Sequence, residues 1–233
     1  MTTYDIKDSR VPIFTVDSVL FSVDSGSLNV LLVKRNNEPF KGKWGLPGGF
    51  IDIDNDVSAE QAAIRKIVEK TGAQPQYLQQ LHTFSSPKRD PRGFSVTLSF
   101  YAMIAYQAVA SKLSSIEAVK FIDVEQALKK KLAFDHHQII KMALSRIQQK
   151  ALYSMVPAYC LPSEFTMTDY KNIIEIILGQ SIQRKSLIRR VEASGMFEPL
   201  NKFEHSGRRP AQLYRLKKGI EPYHFQRNMA LSV

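Results

Sequence analysis

The chain has 233 residues, 44% hydrophobic and 10% aromatic, which supports one large or two ordinary folded domains and excludes a disordered polymer. A net charge of +10 points to an acidic partner, with nucleic acid or a phosphorylated ligand foremost. One cysteine, Cys160, excludes a disulfide framework; with a polar N-terminus and no apolar run near the roughly 18 residues of a membrane span, a soluble cytoplasmic protein with no membrane partner is expected.

Residues 14–23 (FTVDSVLFSV) and 28–35 (LNVLLVKR) read as strands, with the hairpin signal Asp24-Ser25-Gly26-Ser27 between them. Residues 44–49 (WGLPGG) are breaker-rich and form a loop or strand end. A helix is predicted over 58–70, with Ser58 as N-cap, Ala62, Ala63, Ile67 and Val68 apolar, and Gly72 ending it. Strands return at 80–84, 94–106 and 120–124. A second helix is predicted over 135–150, its stripe made of Ile139, Ile140, Met142, Ala143 and Ile147. Residues 155–163 (MVPAYCLPS) break the pattern and mark a domain boundary, giving domains at 1–152 and 153–233. Beyond it come helices over 166–178 and 181–194, closed by Gly179 and Gly195, and β-like runs over 197–203 and 212–216.

Helix, short turn, basic helix and basic hairpin form the layout of a winged helix-turn-helix. Residues 181–218 carry ten basic side chains against three acidic, so this segment holds +7 of the +10 charge. That concentration fits phosphate neutralisation on double-stranded DNA, although a solvated helix face is the plainer fate of a basic cluster. Gln183, Arg184, Ser186 and Arg190 are candidate base or phosphate contacts, and Lys185 and Arg189 candidate backbone contacts. Arg208 and Arg209 at the wing tip are placed against the minor groove or phosphates. Thr166 and Thr168 either donate to phosphate or cap their helix.

The segment Gly48-Gly49-Phe50-Ile51-Asp52-Ile53-Asp54-Asn55-Asp56, followed by a helix ending Arg65-Lys66-Ile67-Val68-Glu69-Lys70-Thr71-Gly72, closely resembles the Nudix box. In that family the helix ends Arg-Glu-x-x-Glu-Glu-x-Gly, and its glutamates hold the magnesium that drives diphosphate cleavage. The matching positions here are Lys66, Glu69 and Lys70. They share one helix face, and magnesium needs clustered oxygen ligands, so one carboxylate and two ammonium groups imply a pocket kept without its metal. The loop is about two residues longer than the usual Nudix spacing; its Asp52, Asp54 and Asp56 form either a replacement metal site or, as favoured here, a polar turn.

Together with Arg89-Asp90-Pro91-Arg92-Gly93, Leu132-Ala133-Phe134-Asp135-His136-His137 and Gly207-Arg208-Arg209-Pro210-Ala211-Gln212-Leu213-Tyr214, this organisation resembles, over nearly the whole chain, the Nudix-related transcriptional regulators of NAD metabolism. The resemblance implies an α/β (α+β) fold, a Nudix α/β/α sandwich with a mixed sheet followed by a winged helix. It implies a bacterial homodimeric repressor that binds a palindromic operator and releases it when ADP-ribose, or a related NAD metabolite, fills the Nudix pocket. No catalytic residue, metal or required cofactor is expected. Candidate contacts to ADP-ribose are Arg35, Gly48, Gly49, Phe50, Lys66, Glu69, Lys70, Asp90 and Arg92. Phe14, Trp44 and Phe50 stack on adenine or belong to the core, and Arg65 orients Glu69 or the loop. His136 and His137 lack a third metal ligand. The competing reading is a magnesium-dependent ADP-ribose diphosphate hydrolase that uses Glu69 with the nearby aspartates.

Overall fold

The structure, a computed structural model, describes residues 11–113, 118–205 and 210–225. Strand β1 (Ile13–Asp24) is rich in β-branched and aromatic residues. It turns through Ser25 and Gly26, whose φ angles of 50° and 77° suit a tight hairpin, into β2 (Ser27–Lys34). The chain continues through β3 (Trp44–Gly45), β4 (Gly48–Phe50), α1 (Ala59–Thr71), β5 (Tyr77–Ser86), β6 (Ser95–Met103), α2 (Ala110–Leu113), β7 (Val119–Asp123), α3 (Val124–Leu128) and α4 (His136–Tyr153). After a 3-10 turn at Val156–Cys160 come β8 (Phe165–Thr166), α5 (Met167–Leu178), α6 (Arg184–Ser194), β9 (Phe197–Glu204) and β10 (Ala211–Leu216).

The first seven strands form one mixed sheet in which β1 is central. It pairs in parallel with β6 along nine residues and antiparallel with β2 and β4, and β6 pairs antiparallel with β5. Side chains alternate across β1, so Val16 and Leu20 meet Ala62, Ala63 and Ile67 of α1 on one face. Val19 and Phe21 join Ile139, Ile140 and Ala143 of α4 in the main cluster on the other. The result is the expected helix–sheet–helix sandwich.

The last three strands, in the order β8-β10-β9, form the wing beside α5 and α6. Phe165, Tyr170 and Phe197 seat this small sheet on α5 through edge-to-face contacts at 4.7 and 5.0 Å. The main apolar cluster does not stop between the two units. It runs from β1 and α4 through buried Val156, Ala158, Tyr159 and Cys160 into Tyr170, Ile174, Leu187 and Val191. Tyr159 stacks on Tyr77 at 5.4 Å and donates its hydroxyl to the Ile220 carbonyl, tying the turn to both sides. No helix among the described residues is long and apolar enough to cross a membrane.

Most expected elements are present, with instructive shifts. The strand expected over 94–106 ends at Met103, and a 3-10 turn starts at Tyr106. The helix expected from 181 starts at Arg184, because Ile182 joins the core and its amide is held by Glu175 Oε1 at 2.8 Å. Val68 and Met142, expected in apolar stripes, stand on exposed flanks. Helices α2 and α3 carried too few periodic positions to be read in the sequence.

Candidate functional site

The loop around Gly48 is shaped by close approach. A Cβ on Gly48 would lie 2.3 Å from Asp17 Oδ1 and 2.4 Å from the Val16 carbonyl oxygen, so only glycine fits against β1. Gly49 has φ of 145° and lies over the stem of Lys66. Helix α1 opens as expected, with Ser58 Oγ accepting from the Gln61 amide, and closes on Gly72 in the left-handed conformation.

Along α1 the charges form a chain. Arg65 donates to both oxygens of Asp56, at 2.8 and 2.5 Å, and to Glu69 at 2.7 Å, while Lys66 Nζ lies 3.2 Å from Glu69 Oε2. The bond from Arg65 holds the Asp56 carboxyl down to about 2. Partial burial opposes charge on Glu69, yet the bonds from Arg65 and Lys66 outweigh it and keep the carboxyl below its usual value. Asp52 accepts from Asn55 and the Asp54 amide, and Asp56 also accepts from the Asp52 amide. Asp52 and Asp56 thus close the turn and hold Arg65, and Asp54 contributes its amide. Lys70, one turn beyond Lys66, makes no ion pair among the described residues.

Beneath the loop lies a buried polar cluster that the sequence patterns do not single out. Arg89 forks onto Asp135 at 3.0 and 2.9 Å, donates to Ser95 at 3.2 Å, and reaches Asp17 at 3.4 Å. His136 Nδ1 accepts from the Leu46 amide at 2.8 Å, which places the ring proton on Nε2, 3.5 Å from Asp17 Oδ1. Burial works against charge on Asp17, but His136, Thr97 and Arg89 together hold its carboxyl below the usual value. Arg89, Asp135 and His136 stand in strings that carry the family resemblance, but only the lone aspartate within the apolar run of β1 signalled a buried charge. His136 sits under the loop, and among the described residues it belongs to no group of three or more His, Cys, Asp or Glu side chains placed to hold a metal ion.

Above this cluster two guanidinium groups converge. Arg35 donates to the Pro39 carbonyl at 2.8 Å, lies 4.6 Å over the Phe134 ring, and has no carboxylate within ion-pair distance among the described residues. Burial and the Arg92 charge lower its proton affinity against the opposing pull of Asp17, Asp90 and Glu38. Arg92 is forked onto Asp90 at 3.0 and 2.8 Å and lies 5.6 Å from the Phe50 ring. Asp90 is nearly fully buried and holds Arg92 instead of facing outward, which corrects its expected place among ligand contacts. Phe14 and Phe50 are exposed, not core, whereas Trp44 packs against the main cluster. An open site with spare positive charge and exposed aromatic faces suits an anionic ligand with a planar ring.

In the second unit α6 presents Arg184, Lys185, Ser186 and Arg189 to solvent, with Gln183 at its N-cap. Thr166 is buried in a capping box with Asp169, so it caps α5 and is not free for a phosphate; Thr168 stands exposed in the first turn. Arg190 was expected to face DNA and is instead turned back onto the fold. Its guanidinium donates to the carbonyls of Ala151 and Leu152 and lies 4.6 Å over the Phe225 ring. Arg208 and Arg209 lie outside the described residues.

Residues 13–143 match the NUDIX domain family model, and residues 157–216 match the NrtR DNA-binding winged helix domain. The chain is 41% identical over 225 residues to the ADPR responsive transcriptional repressor NtrR of Acinetobacter baylyi, spanning 97% of this chain and 89% of that protein. The crystal structure of Shewanella oneidensis NrtR complexed with a 27mer DNA superimposes with a TM-score of 0.85 at 45% identity, over 88% of this chain and 93% of that one. The NUDIX domain of the same protein complexed with ADP ribose is 46% identical, with a TM-score of 0.57 over 62% of this chain and 94% of that one.

Proposed function

The chain belongs to the NUDIX domain family and carries an NrtR-type winged helix after that domain, and from this we propose that it is an ADP-ribose-responsive transcriptional repressor of NAD biosynthesis or salvage genes. The observation that carries the reading is the joining of an anion-seeking Nudix pocket to an exposed basic helix through a continuous core. Phosphates of an operator meet Arg184, Lys185 and Arg189, while Gln183 and Ser186 reach base edges or phosphates. A homodimer matches the two-fold symmetry of a palindromic operator. ADP-ribose then shifts the population toward a form that binds the operator weakly.

In this reading the diphosphate lies over Gly48, Gly49 and Phe50, within reach of Arg35, Arg92, Lys66 and Lys70. Magnesium, which the Nudix family uses, does not fit these residues. The one carboxylate on its helix face, Glu69, is already shared by Arg65 and Lys66, and Asp56 is held by Arg65. The lysines supply the counter-charge that the metal gives elsewhere, so the ligand is bound without being cut. Arg65 orients Glu69 and the loop. Such a protein works in the cytoplasm, where both operator and ligand are found.

The test is binding to the promoter of an NAD-salvage operon, titrated with ADP-ribose in EDTA. Binding that ADP-ribose abolishes without metal is the expected result. Absence of binding, with AMP released from ADP-ribose once magnesium is added, would replace the repressor by a hydrolase.

A further inference from the structure

Helix α4 is fastened at both ends to the two functional sites. At its start, Asp135 is forked onto buried Arg89, and His136 is held by the Leu46 amide and faces Asp17. A Cβ on Gly45 would sit 2.8 Å from His136 Nδ1, so the loop leading to Gly48 cannot shift without moving this ring. Arg89 is followed directly by the Asp90–Arg92 turn at the mouth of the pocket. A ligand that pulls on Gly48, Gly49 or Arg92 therefore pulls on the first turn of α4.

At the other end the last four carbonyls of α4, which a helix leaves without internal partners, are all engaged. Ser154 bonds that of Lys150 through amide and hydroxyl, and the Phe225 amide bonds that of Tyr153 at 2.7 Å. The remaining two, of Ala151 and Leu152, are held among the described residues by Arg190, from the exposed basic helix α6. A cation there also meets the negative end of the helix dipole. Beside this contact is a cleft of about 240 Å³, lined by Ala151, Leu152, Ile174, Ile182, Leu187 and Arg190. The cleft is half open to solvent, so α6 is packed through Leu187 and Val191 but not closed against α4 on the side where Arg190 acts.

We propose that α4 is the rigid member linking the ligand pocket to the DNA-reading helix, and that Arg190 is the positioning residue that sets α6 against its C-terminal end. This rests on the repressor reading. At ~1.5 Å per residue α4 spans roughly 27 Å, so a small tilt imposed at Asp135 and His136 becomes a larger displacement at Ala151 and Leu152. Arg190 passes that displacement to α6 and, through it, to Arg184, Lys185 and Arg189.

Operator affinity is measured by fluorescence anisotropy with and without saturating ADP-ribose, and ADP-ribose affinity without DNA by calorimetry. The unmodified protein is expected to show a ratio of operator Kd values within the roughly 5- to 150-fold range typical of coupled sites. Arg190→Gln should bring the ratio toward one and leave ADP-ribose affinity nearly unchanged. Phe225→Leu, which removes the ring that Arg190 and Tyr223 face but keeps the main-chain bond to Tyr153, should give an intermediate ratio. A merely structural arginine would weaken operator binding equally with and without effector, and an unchanged ratio in folded Arg190→Gln overturns the proposal. Should that variant fail to fold, hydrogen exchange on the unmodified protein decides. ADP-ribose alone should change exchange in residues 151–154, 184–194 and at Phe225, and no change there overturns it. If the unmodified protein ignores ADP-ribose on its operator but these amides still respond, the repressor reading fails while the linkage stands.

Discussion

Replacing Arg89 by methionine isolates the buried cluster beneath the pocket loop. The arginine side chain is 5% exposed and faces Asp17 and Asp135, which are 10% and 14% exposed. Methionine keeps much of the volume but removes two charge-assisted bonds to Asp135, one to Ser95 and one to Asp17, leaving two carboxylates enclosed together. Breaking a buried ion pair by removing one partner costs about 3–5 kcal/mol. For a chain of this size that lowers Tm by roughly 6–20 °C. Arg215→Met is the internal control: its pair with Glu198 is 55% and 42% exposed, and so open a pair contributes far less. Urea unfolding at pH 7 on both variants measures the difference. Adding Asp17→Asn to Arg89→Met should recover part of the loss. The folded Asp17 carboxyl lies below its unfolded value, so its contribution is complete above roughly pH 4 and is lost as pH falls through the folded value. In Arg89→Met that acid limb should begin at higher pH. A variant within about 1 kcal/mol of the parent at pH 7 would refute the claim that Arg89 holds the loop floor together.

Carbon-detected NMR titration should place the Asp56 midpoint at about 2; in Arg65→Ala it should rise toward ~3.9, the ordinary aspartate value, and an unmoved midpoint would deny Arg65 its role. Gly48→Ala should destabilise by about 1–3 kcal/mol in thermal melts, since its methyl has no space beside Asp17 and the Val16 carbonyl; a parent-like melt would contradict that packing. Arg184→Ala, Lys185→Ala and Arg189→Ala should each weaken operator binding and reduce the salt slope by about one; unchanged slopes in all three would remove α6 from the interface. Lys66→Glu combined with Lys70→Glu should make ADP-ribose affinity depend on magnesium, and calorimetry showing equal affinity in EDTA would defeat the counter-charge argument.

Local grammar made much of this fold readable. Ser58 and Gly72 bound α1, and Thr166 and Gly179 bound α5, because caps act within a turn of the residues they serve. The Gly48–Gly49 loop and the carboxylate-poor face of α1 were legible for the same reason. The floor of the pocket was not, because Asp17 and Arg89 are 72 residues apart and Arg89 and Asp135 are 46 apart. No periodic pattern reports such pairings. Arg190 was misread because a basic residue on a basic helix resembles its neighbours; its position three after buried Leu187, on the flank of the apolar stripe, was the clue to its inward turn. Asp90 shows the converse, a charged residue in a surface-like turn whose carboxylate is closed over by its own neighbour Arg92.

The apolar cluster that passes without interruption through Val156–Cys160 leaves no seam between the two units. A chain hinged by a solvated tether would come apart in two stages, the smaller unit first. Here the buried side chains of the winged helix, among them Phe165, Tyr170, Ile174, Leu187 and Val191, belong to one cluster with those of α4 and the turn before β8, so loss of either half exposes the other. A single unfolding transition is the expected outcome, and a calorimetric scan with two would contradict the shared core. Effector held a full helix length away protects the DNA-reading end from unfolding as much as the pocket itself, by about 2.7 kcal/mol at a hundredfold excess over its Kd.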